Sequence, residues 1–318
     1  ATPSALAGSS AAAAQRGQRA NLLERIQNAK RAFSCRRVSL AQVHDLSQAE
    51  APQSGDLVLA TVTDIGHHAR LESPEGRRVQ LYVGDEILVA YGARHAPDQC
   101  EAVVPDNMGP CDLVASGGIA ARTLARHPSM RRPTAISPIG LLIDAAGKPV
   151  NVRQFALAAP MRRPVARNLI VVVGTSMNSG KTTAAASLIH GLAKSGLKVG
   201  ACKITGTGSG GDLWSMVDAG AARTLDFTDV GFSTTAGADL AELEQAAHTL
   251  ISELEASGVD IVVAEIADGL LQRETAALLT SPFAARIDAL LLAAADSMGA
   301  RFGAEWLQQR NLPLRAVT

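Results

Sequence analysis

Aromatic residues are scarce in this chain of 318: two Trp, two Tyr and six Phe, 3% in all. So few rings offer no stacking platform for single-stranded nucleic acid. A basic excess is missing too. Thirty Lys and Arg stand against thirty Asp and Glu, a net charge of +0, whereas nucleic-acid binders carry a positive footprint. There are only four cysteines, Cys35, Cys100, Cys111 and Cys202. None forms a Cys-x-x-Cys pair or stands beside a His at zinc-ligand spacing. That excludes a disulfide framework and a structural zinc, and predicts reduced thiols in a cytosolic protein. Long apolar runs are lacking as well. The stretch "ALLLAAA" (Ala289–Ala295) has the length of a strand and not of a membrane span. The opening "ATPSALAGSSAAAAQRGQRA" has no apolar core and reads as a disordered tail over residues 1–20 rather than a signal peptide.

Ala and Gly are abundant, as suits tight helix–sheet packing, and the length allows two domains. Leu22, Leu23, Ile26 and Ala29 are spaced for a short amphipathic helix. From Gly55 the period changes. "GDLVLATVTDIG", "ARLESPEGRRVQLYVGDEILVAYG" and "QCEAVVP" are β-branched, alternating and broken by turns, which predicts a β-rich domain over 21–158, of barrel type. Within it, "DLVASGGIAARTLARH" (Asp112–His127) is expected to be helical, and "ISPIGLLIDAAGKPVNV" to form a hairpin around Ala146-Gly147. The Pro- and Arg-rich 159–168 reads as a linker.

After Asn168, buried strands alternate with helices. Strands are expected at Leu169–Val173, Leu197–Ile204, Asp260–Ile266, Ala289–Ala295 and in the final "LPLRAV". Helices are expected at Lys181–Lys194, Asp239–Ala256 and Phe302–Arg310. This alternation defines the fold class: α/β, with a parallel, doubly wound P-loop domain over 169–318, preceded by the smaller β-rich domain. A helix would ordinarily follow the last strand, so the natural chain is expected to continue past Thr318.

The first strand of this region runs into "GTSMNSGKTT" (Gly174–Thr183). An apolar strand, a glycine-bounded loop and a helix opening on Gly-Lys-Thr are the setting of a phosphate cradle. Gly174 and Gly180 allow the sharp turn and the close approach of backbone N–H groups, and the helix N-terminus adds its dipole. Lys181 is expected to bind the outer phosphates and the Thr182 hydroxyl to meet Mg²⁺. Gly174, Thr175, Asn178, Ser179, Gly180, Lys181, Thr182 and Thr183 form the expected nucleotide site.

The loop has one residue more between its glycines than the common P-loop, and in this it resembles dethiobiotin synthetase and its P-loop relatives. Those include cobyrinic acid a,c-diamide synthase and the molybdopterin-guanine dinucleotide biosynthesis protein B. The likeness runs on through "VGACKITG", "GGDLWSMVDAGAA", "IVVAEIADGLL" and "ALLLAAADSMGARFGAEWLQQRNLPLRAV", from about Leu169 to Val317. Ile266, Ala267 and Asp268 depart from the family's glycine pattern after Glu265. The resemblance implies a metal set of Thr182, Asp212 and Glu265, and a catalytic group of Lys181, Lys203 and Glu265. Mg²⁺ takes hard oxygen ligands and few protein carboxylates, in keeping with that set. Asp212 is equally placed to cap the following helix, Glu265 to join a salt bridge at a sheet edge, and Lys203 to snorkel from a strand end.

The same resemblance implies ATP, or GTP, with Mg²⁺. No Asn-Lys-x-Asp guanine signature is present, which favours ATP. The leading expectation is a ligase or kinase that activates a small-molecule carboxylate. The alternative is a nucleotide-dependent switch or adaptor in cofactor biosynthesis. Expected partners are a small-molecule substrate and a second copy of the chain, with no nucleic acid and no membrane. Thr205, Thr207 and Gly208 are candidate contacts in a second glycine-rich loop. Asp268, Arg273, Glu274, Asp296 and Ser297 are candidate cleft residues. His67-His68 could bind a ligand but reads better as a pair of exposed turn histidines, and "YGARHAPDQCEAVVPD" (Tyr91–Asp106) has the polarity of a functional loop without an assignable chemistry.

Overall fold

A computed structural model describes residues 20–158 and 168–318. The expected tail, up to residue 19, and the expected linker, apart from Asn168, lie outside these. Residues 20–28 are helical (α1), and Ile26 and Ala29 are buried against the sheet that follows.

The N-terminal part is built from β1 (Lys30–Arg31), β2 (Asp45–Ser47), β3 (Leu57–Asp64), β4 (Arg70–Glu72), β5 (Arg78–Gln80) and β6 (Glu86–Tyr91). They are followed by β7 (Arg94–His95), β8 (Cys100–Val103), β9 (Cys111–Ala115), β10 (Ile119–Arg126) and β11 (Thr134–Ile143). Strand β3 pairs with β6 and β11, β11 with β9, β9 with β10, and β10 returns to β6. Five strands thus close a small barrel, which removes its exposed edges. Leu57, Leu59 and Leu88 on one face of its wall and Val58, Leu141 and Ile136 on the other all join one buried cluster.

The expected helix at Asp112–His127 is not formed. That segment is the β9–β10 hairpin, turning at Gly117-Gly118. Its alanines favour a helix, but Gly118 has φ +92° and its missing Cβ makes room for Ala32, which a Cβ would meet at 2.0 Å. Val114, Ala115, Ile119 and Ala121 fill a small core of their own, so tertiary packing outweighs propensity. The turn expected at Ala146-Gly147 is present, closed by Gly147 N–H to the Asp144 carbonyl at 3.0 Å, with a single antiparallel bridge from Ile143 to Pro149.

The C-terminal part runs β12 (Leu169–Gly174), α2 (Lys181–Lys194), β13 (Val199–Lys203), α3 (Gly211–Asp218), β14 (Arg223–Asp226), α4 (Leu240–Ala256) and β15 (Ile261–Glu265). It ends with α5 (Arg273–Thr280), β16 (Ala289–Ala293), α6 (Ser297–Gln308) and β17 (Leu314–Val317). All six strands are parallel, in the order β14-β13-β15-β12-β16-β17. Alternate residues of each strand serve opposite faces. Val172, Val199, Ala201 and Val263 pack with Ala185, Ile189 and Met216 of α2 and α3. Val171, Val173, Ala264 and Leu292 pack with Leu243, Ala247, Leu250 and Leu254 of α4 and with Leu278 and Leu307 of α5 and α6. Both faces are covered, which explains the continuous apolar strands. The protein is therefore a mixed α/β chain with a parallel nucleotide-type sheet and a β-rich N-terminal region. Among the described residues, no helix is long and apolar enough to cross a membrane.

The barrel is packed directly on this sheet. Arg36 pairs with Asp226 at 3.0 Å and Asp229 at 2.7 Å, Ser233 donates to the Tyr91 carbonyl at 2.8 Å, and Phe33 meets Trp214 edge-on at 6.5 Å. Gly117 lies so close to the Gly208 carbonyl that a Cβ would sit 2.0 Å from it.

Candidate phosphate and metal site

The first and central strand of the parallel sheet, β12, delivers Gly174 to the carboxyl edge, where open α/β sheets bind ligands. A Cβ on Gly174 would stand 2.2 Å from Ser179 Oγ and 2.7 Å from Lys181 Cγ, so the loop can fold back only over glycine. Asn178 and Gly180 take positive φ, 60° and 95°. Asn tolerates that region and Gly prefers it. Helix α2 starts at Lys181 with no side-chain cap on its N-terminus. Its first amides are left for an outside acceptor, the arrangement that binds phosphate.

Lys181 is buried and folds over its own loop, donating to the Ser176 carbonyl at 2.8 Å. Burial lowers its pKa, against the raising influence of Glu265 and Asp268. In the next residue, the Thr182 hydroxyl stands 3.1 Å from Asp212 Oδ1 and 3.2 Å from Glu265 Oε1. A hydroxyl has one proton to donate, so it satisfies one carboxylate at a time. Glu265 closes β15 at 1% exposure, and its Oε2 has no hydrogen-bond partner. A buried carboxylate oxygen without a partner is costly. Lys203, at the end of β13, pairs with Asp212 and lies 3.7 Å from Glu265 Oε1.

The three expected metal ligands and both expected lysines thus converge. Asp212 does not cap α3: the cap position is Gly210, and Asp212 sits in the first turn. Glu265 ends a central strand and forms the expected salt bridge, to Lys203 at 3.7 Å, and Lys203 turns in to the carboxylates instead of snorkelling. Among the described residues, no cluster of three or more His, Cys, Asp and Glu forms a metal cage. Two carboxylates and a hydroxyl, with one oxygen orphaned, fit Mg²⁺, which draws its remaining ligands from water and phosphate.

Of the other expected residues, some share this cleft and some do not. The Thr175 hydroxyl accepts the Ala295 N–H at 3.3 Å, and Ser179 is buried with Oγ unpaired. Thr183 faces the cleft with Met177 and Asn178. Thr205 Oγ1 accepts the Ala267 N–H at 2.8 Å, Thr207 lines the cleft, and Gly208 packs under the Ser233 carbonyl. Asp268 has φ 64° and lines the cleft. Arg273 and Glu274 line an adjoining groove, where Glu274 accepts the Gly237 N–H at 2.9 Å. Asp296 caps α6 through Gly299 N–H at 2.7 Å, and Ser297 begins that helix.

The cleft itself has a volume of about 760 Å³, and its far wall is the barrel. There the structure corrects the reading of the histidines. His67 and His68 are not exposed turn residues; both line the cleft, with Arg78, Arg94 and His95. Burial, then the neighbouring Arg94, brings the His68 pKa down to about 3, so it is neutral at ordinary pH. Arg94 and His95 belong to the loop whose polarity was noted without a chemistry. A second missed residue is Glu72 on β4. At 2% exposure it accepts the Gly210 N–H at 2.7 Å and the Ser209 hydroxyl at 3.1 Å, so the barrel caps the helix that carries Asp212. No local motif announces either role.

Residues 169–268 match the family model of the molybdopterin guanine dinucleotide synthesis protein B. Among solved structures, the kinase domain of the Escherichia coli tyrosine kinase ETK is 15% identical, with a TM-score of 0.35 over 48% of this chain and 67% of that one. The signal recognition particle receptor FtsY from Elizabethkingia anophelis is 18% identical, with a TM-score of 0.33 over 54% and 60%. The signal recognition particle 54 kDa protein from Aeropyrum pernix, in complex with GDP, is 18% identical, with a TM-score of 0.32 over 49% and 42%. This chain spans less than two thirds of the latter two. No curated protein matches it by sequence. The family match and the strand–loop–helix geometry together define residues 169–268 as a P-loop NTPase domain, a nucleotide-binding unit.

Proposed function

We propose that this protein is a Mg²⁺-dependent nucleoside triphosphatase that works as a nucleotide-driven switch or adaptor in the biosynthesis of a nucleotide-containing cofactor. One observation carries the reading: Thr182, in the first turn of α2, stands between Asp212 and Glu265, whose Oε2 has no partner. The function for which the matching family is named, synthesis of molybdopterin guanine dinucleotide, supports the pathway. It also brings GTP level with ATP as the nucleotide.

The chain's own groups divide the work. The α2 amides and Lys181 bind phosphate oxygens, for which Lys181 exchanges the Ser176 carbonyl for a ligand oxygen. Asp212, Glu265 and Thr182 would hold the metal, which would supply charge neutralisation at the phosphates. Lys203 keeps the two carboxylates compensated and stands near the outer phosphates. A second reading, phosphoryl transfer to a small molecule, is favoured by the cleft of about 760 Å³ beyond the loop. The family match lends no support to the activation of a carboxylate that the resemblance to dethiobiotin synthetase implied.

Titration calorimetry with ATP and GTP, with and without Mg²⁺, tests the proposal on wild type and Lys181→Ala. Losing a charge-assisted phosphate contact costs about 1.5–3 kcal/mol, roughly ten- to a hundredfold in affinity. Binding of neither nucleotide to the folded wild type refutes the reading. Phosphate release stimulated by a small molecule and not by a protein partner transfers support to the second reading.

A further inference from the structure

Arg94 is a buried cation without a counterion. It begins β7, is 9% exposed and lines the cleft. Its guanidinium donates to the Val114 carbonyl and, at 2.7 Å, to Gln99 Oε1, and stands 3.4 Å from His68 Nε2. Nε has no partner. Among the described residues it forms no ion pair; Asp98 and Asp268 act on it only from a distance. Burying an uncompensated charge costs several kcal/mol. A purely structural tie between Val114 and Gln99 needs no charge at all, whereas an anion-binding site does.

The surroundings point the same way. The N-terminal region gives nine residues to the cleft lining, among them Arg78, Arg94, His67, His68 and His95, and not one is acidic. All three lining carboxylates, Asp212, Glu265 and Asp268, come from the other wall. Asp268 also fixes the position. Its charge is felt by Lys181 and Lys203 and by His95, and it acts on Arg94 as well. Arg78 and Arg94 thus line the same cleft as Lys181, Thr182 and Lys203 of the nucleotide site.

We propose that Arg94, flanked by His95 and Arg78, forms an anion subsite that holds the phosphate or carboxylate group of a second small molecule beside the bound nucleotide. The guanidinium fork suits the paired oxygens of either group. The subsite belongs to the barrel, outside the segment matched to the family. It rests on the nucleotide reading above in one respect only, that the P-loop is filled by a nucleotide.

The test uses the full chain saturated with AMP-PNP and Mg²⁺, so that the cradle is occupied, and titrates orthophosphate and malonate as separate probes. At least one probe is expected to bind wild type. Arg94→Gln is expected to weaken that binding about tenfold or more, Arg94→Lys less, with AMP-PNP affinity held within about twofold in both. Preference for one probe assigns phosphate or carboxylate. Neither probe binding the loaded wild type overturns the proposal, whatever the variants do. So does equal probe binding by Arg94→Gln, or a matching loss of AMP-PNP affinity, which assigns Arg94 to the nucleotide itself. AMP-PNP failing to bind wild type removes the nucleotide reading too, an outcome distinct from a loaded protein that ignores both anions.

Discussion

Replacing Glu72 with alanine tests whether the barrel positions the metal site. Glu72 is far from the P-loop in sequence, yet its Oε2 is the acceptor for the Gly210 N–H at 2.7 Å and the Ser209 hydroxyl at 3.1 Å. Gly210 is the cap residue of α3 and has no side chain to serve the helix N-terminus. Asp212 follows two residues later. Alanine leaves a buried amide without an acceptor, which costs about 1–3 kcal/mol, and also removes a charge-assisted bond to Ser209. Relief of the carboxylate's desolvation offsets part of this, because Arg78 at 3.6 Å compensates it only from the surface. The net expectation is a loss of about 2–4 kcal/mol in stability.

Stability is read from the urea midpoint, and function from nucleotide calorimetry with and without Mg²⁺. Glu72→Ala is expected to lose most of the Mg²⁺-dependent gain in affinity while keeping the Mg²⁺-independent part, since Lys181 and the α2 amides are untouched. Glu72→Gln keeps an acceptor for the amide and is expected to fall between. A destabilised Glu72→Ala protein with an unchanged Mg²⁺ effect refutes the link between the cap and Asp212. A stability loss below about 0.5 kcal/mol refutes the hydrogen-bond accounting itself.

Three further perturbations follow. Gly174→Ala forces Ser179 or Lys181 to move from contacts of 2.2 and 2.7 Å, an overpacking cost of about 1–3 kcal/mol; calorimetry should show nucleotide affinity lost with the circular dichroism spectrum intact. Arg36→Ala strips Asp226 of its counterion, leaves Asp229 only Arg37 at 3.5 Å, and should cost about 3–5 kcal/mol in urea unfolding. Burial, then Asp226, already raises the Asp229 pKa, so the folded variant takes up protons more readily than the unfolded chain, and the deficit should shrink on acidification. His68 has its folded pKa below the ordinary 6.5, at about 3. The unfolded chain therefore binds more protons between those values, and stability falls as pH drops through that window, by at most about 1.4 kcal/mol per pH unit. His68→Gln should flatten that part of a pH–stability curve, and an unchanged slope sinks the assignment.

What could be read from residues alone divides along one physical line. Where consecutive residues do the work, the reading holds. Helix α2 has the bounds expected from its pattern, Lys181–Lys194, and α4 begins directly after the expected Asp239, which caps it. Strand, turn and helix N-terminus are local, so the phosphate cradle is local too. The segment Asp112–His127 failed because alanine spacing says helix while the Gly117-Gly118 turn and the packing of Ala32 and Gly208 say hairpin. Those partners lie far away in the chain. His67-His68 failed for the same reason: a polar pair after a strand has no local sign of the wall built against it.

That division bears on how the site works. The half proposed to bind phosphate is contiguous and legible in sequence, but the half proposed to hold a second anion is not. Arg94 and Glu72 reach the site only because β12 places the P-loop against the barrel, where Asn178 hydrogen-bonds Asp98 and Gly117 abuts Gly208. A side chain at Gly117 would need to displace backbone, not another side chain. The contact therefore cannot slacken by a change of rotamer, and movement of the barrel would shift Glu72 and with it the N-terminus of α3. If Asp212 joins the metal when nucleotide binds, its pairing with Lys203 must loosen, and α3 can transmit that change to Glu72. Occupancy of the cradle and the shape of the cationic wall are then linked through one helix cap. Coupling of this kind is reciprocal, so an anion held at Arg94 should alter Mg²⁺-nucleotide affinity by the same factor that nucleotide alters the anion's, and Glu72→Ala should bring both factors toward one.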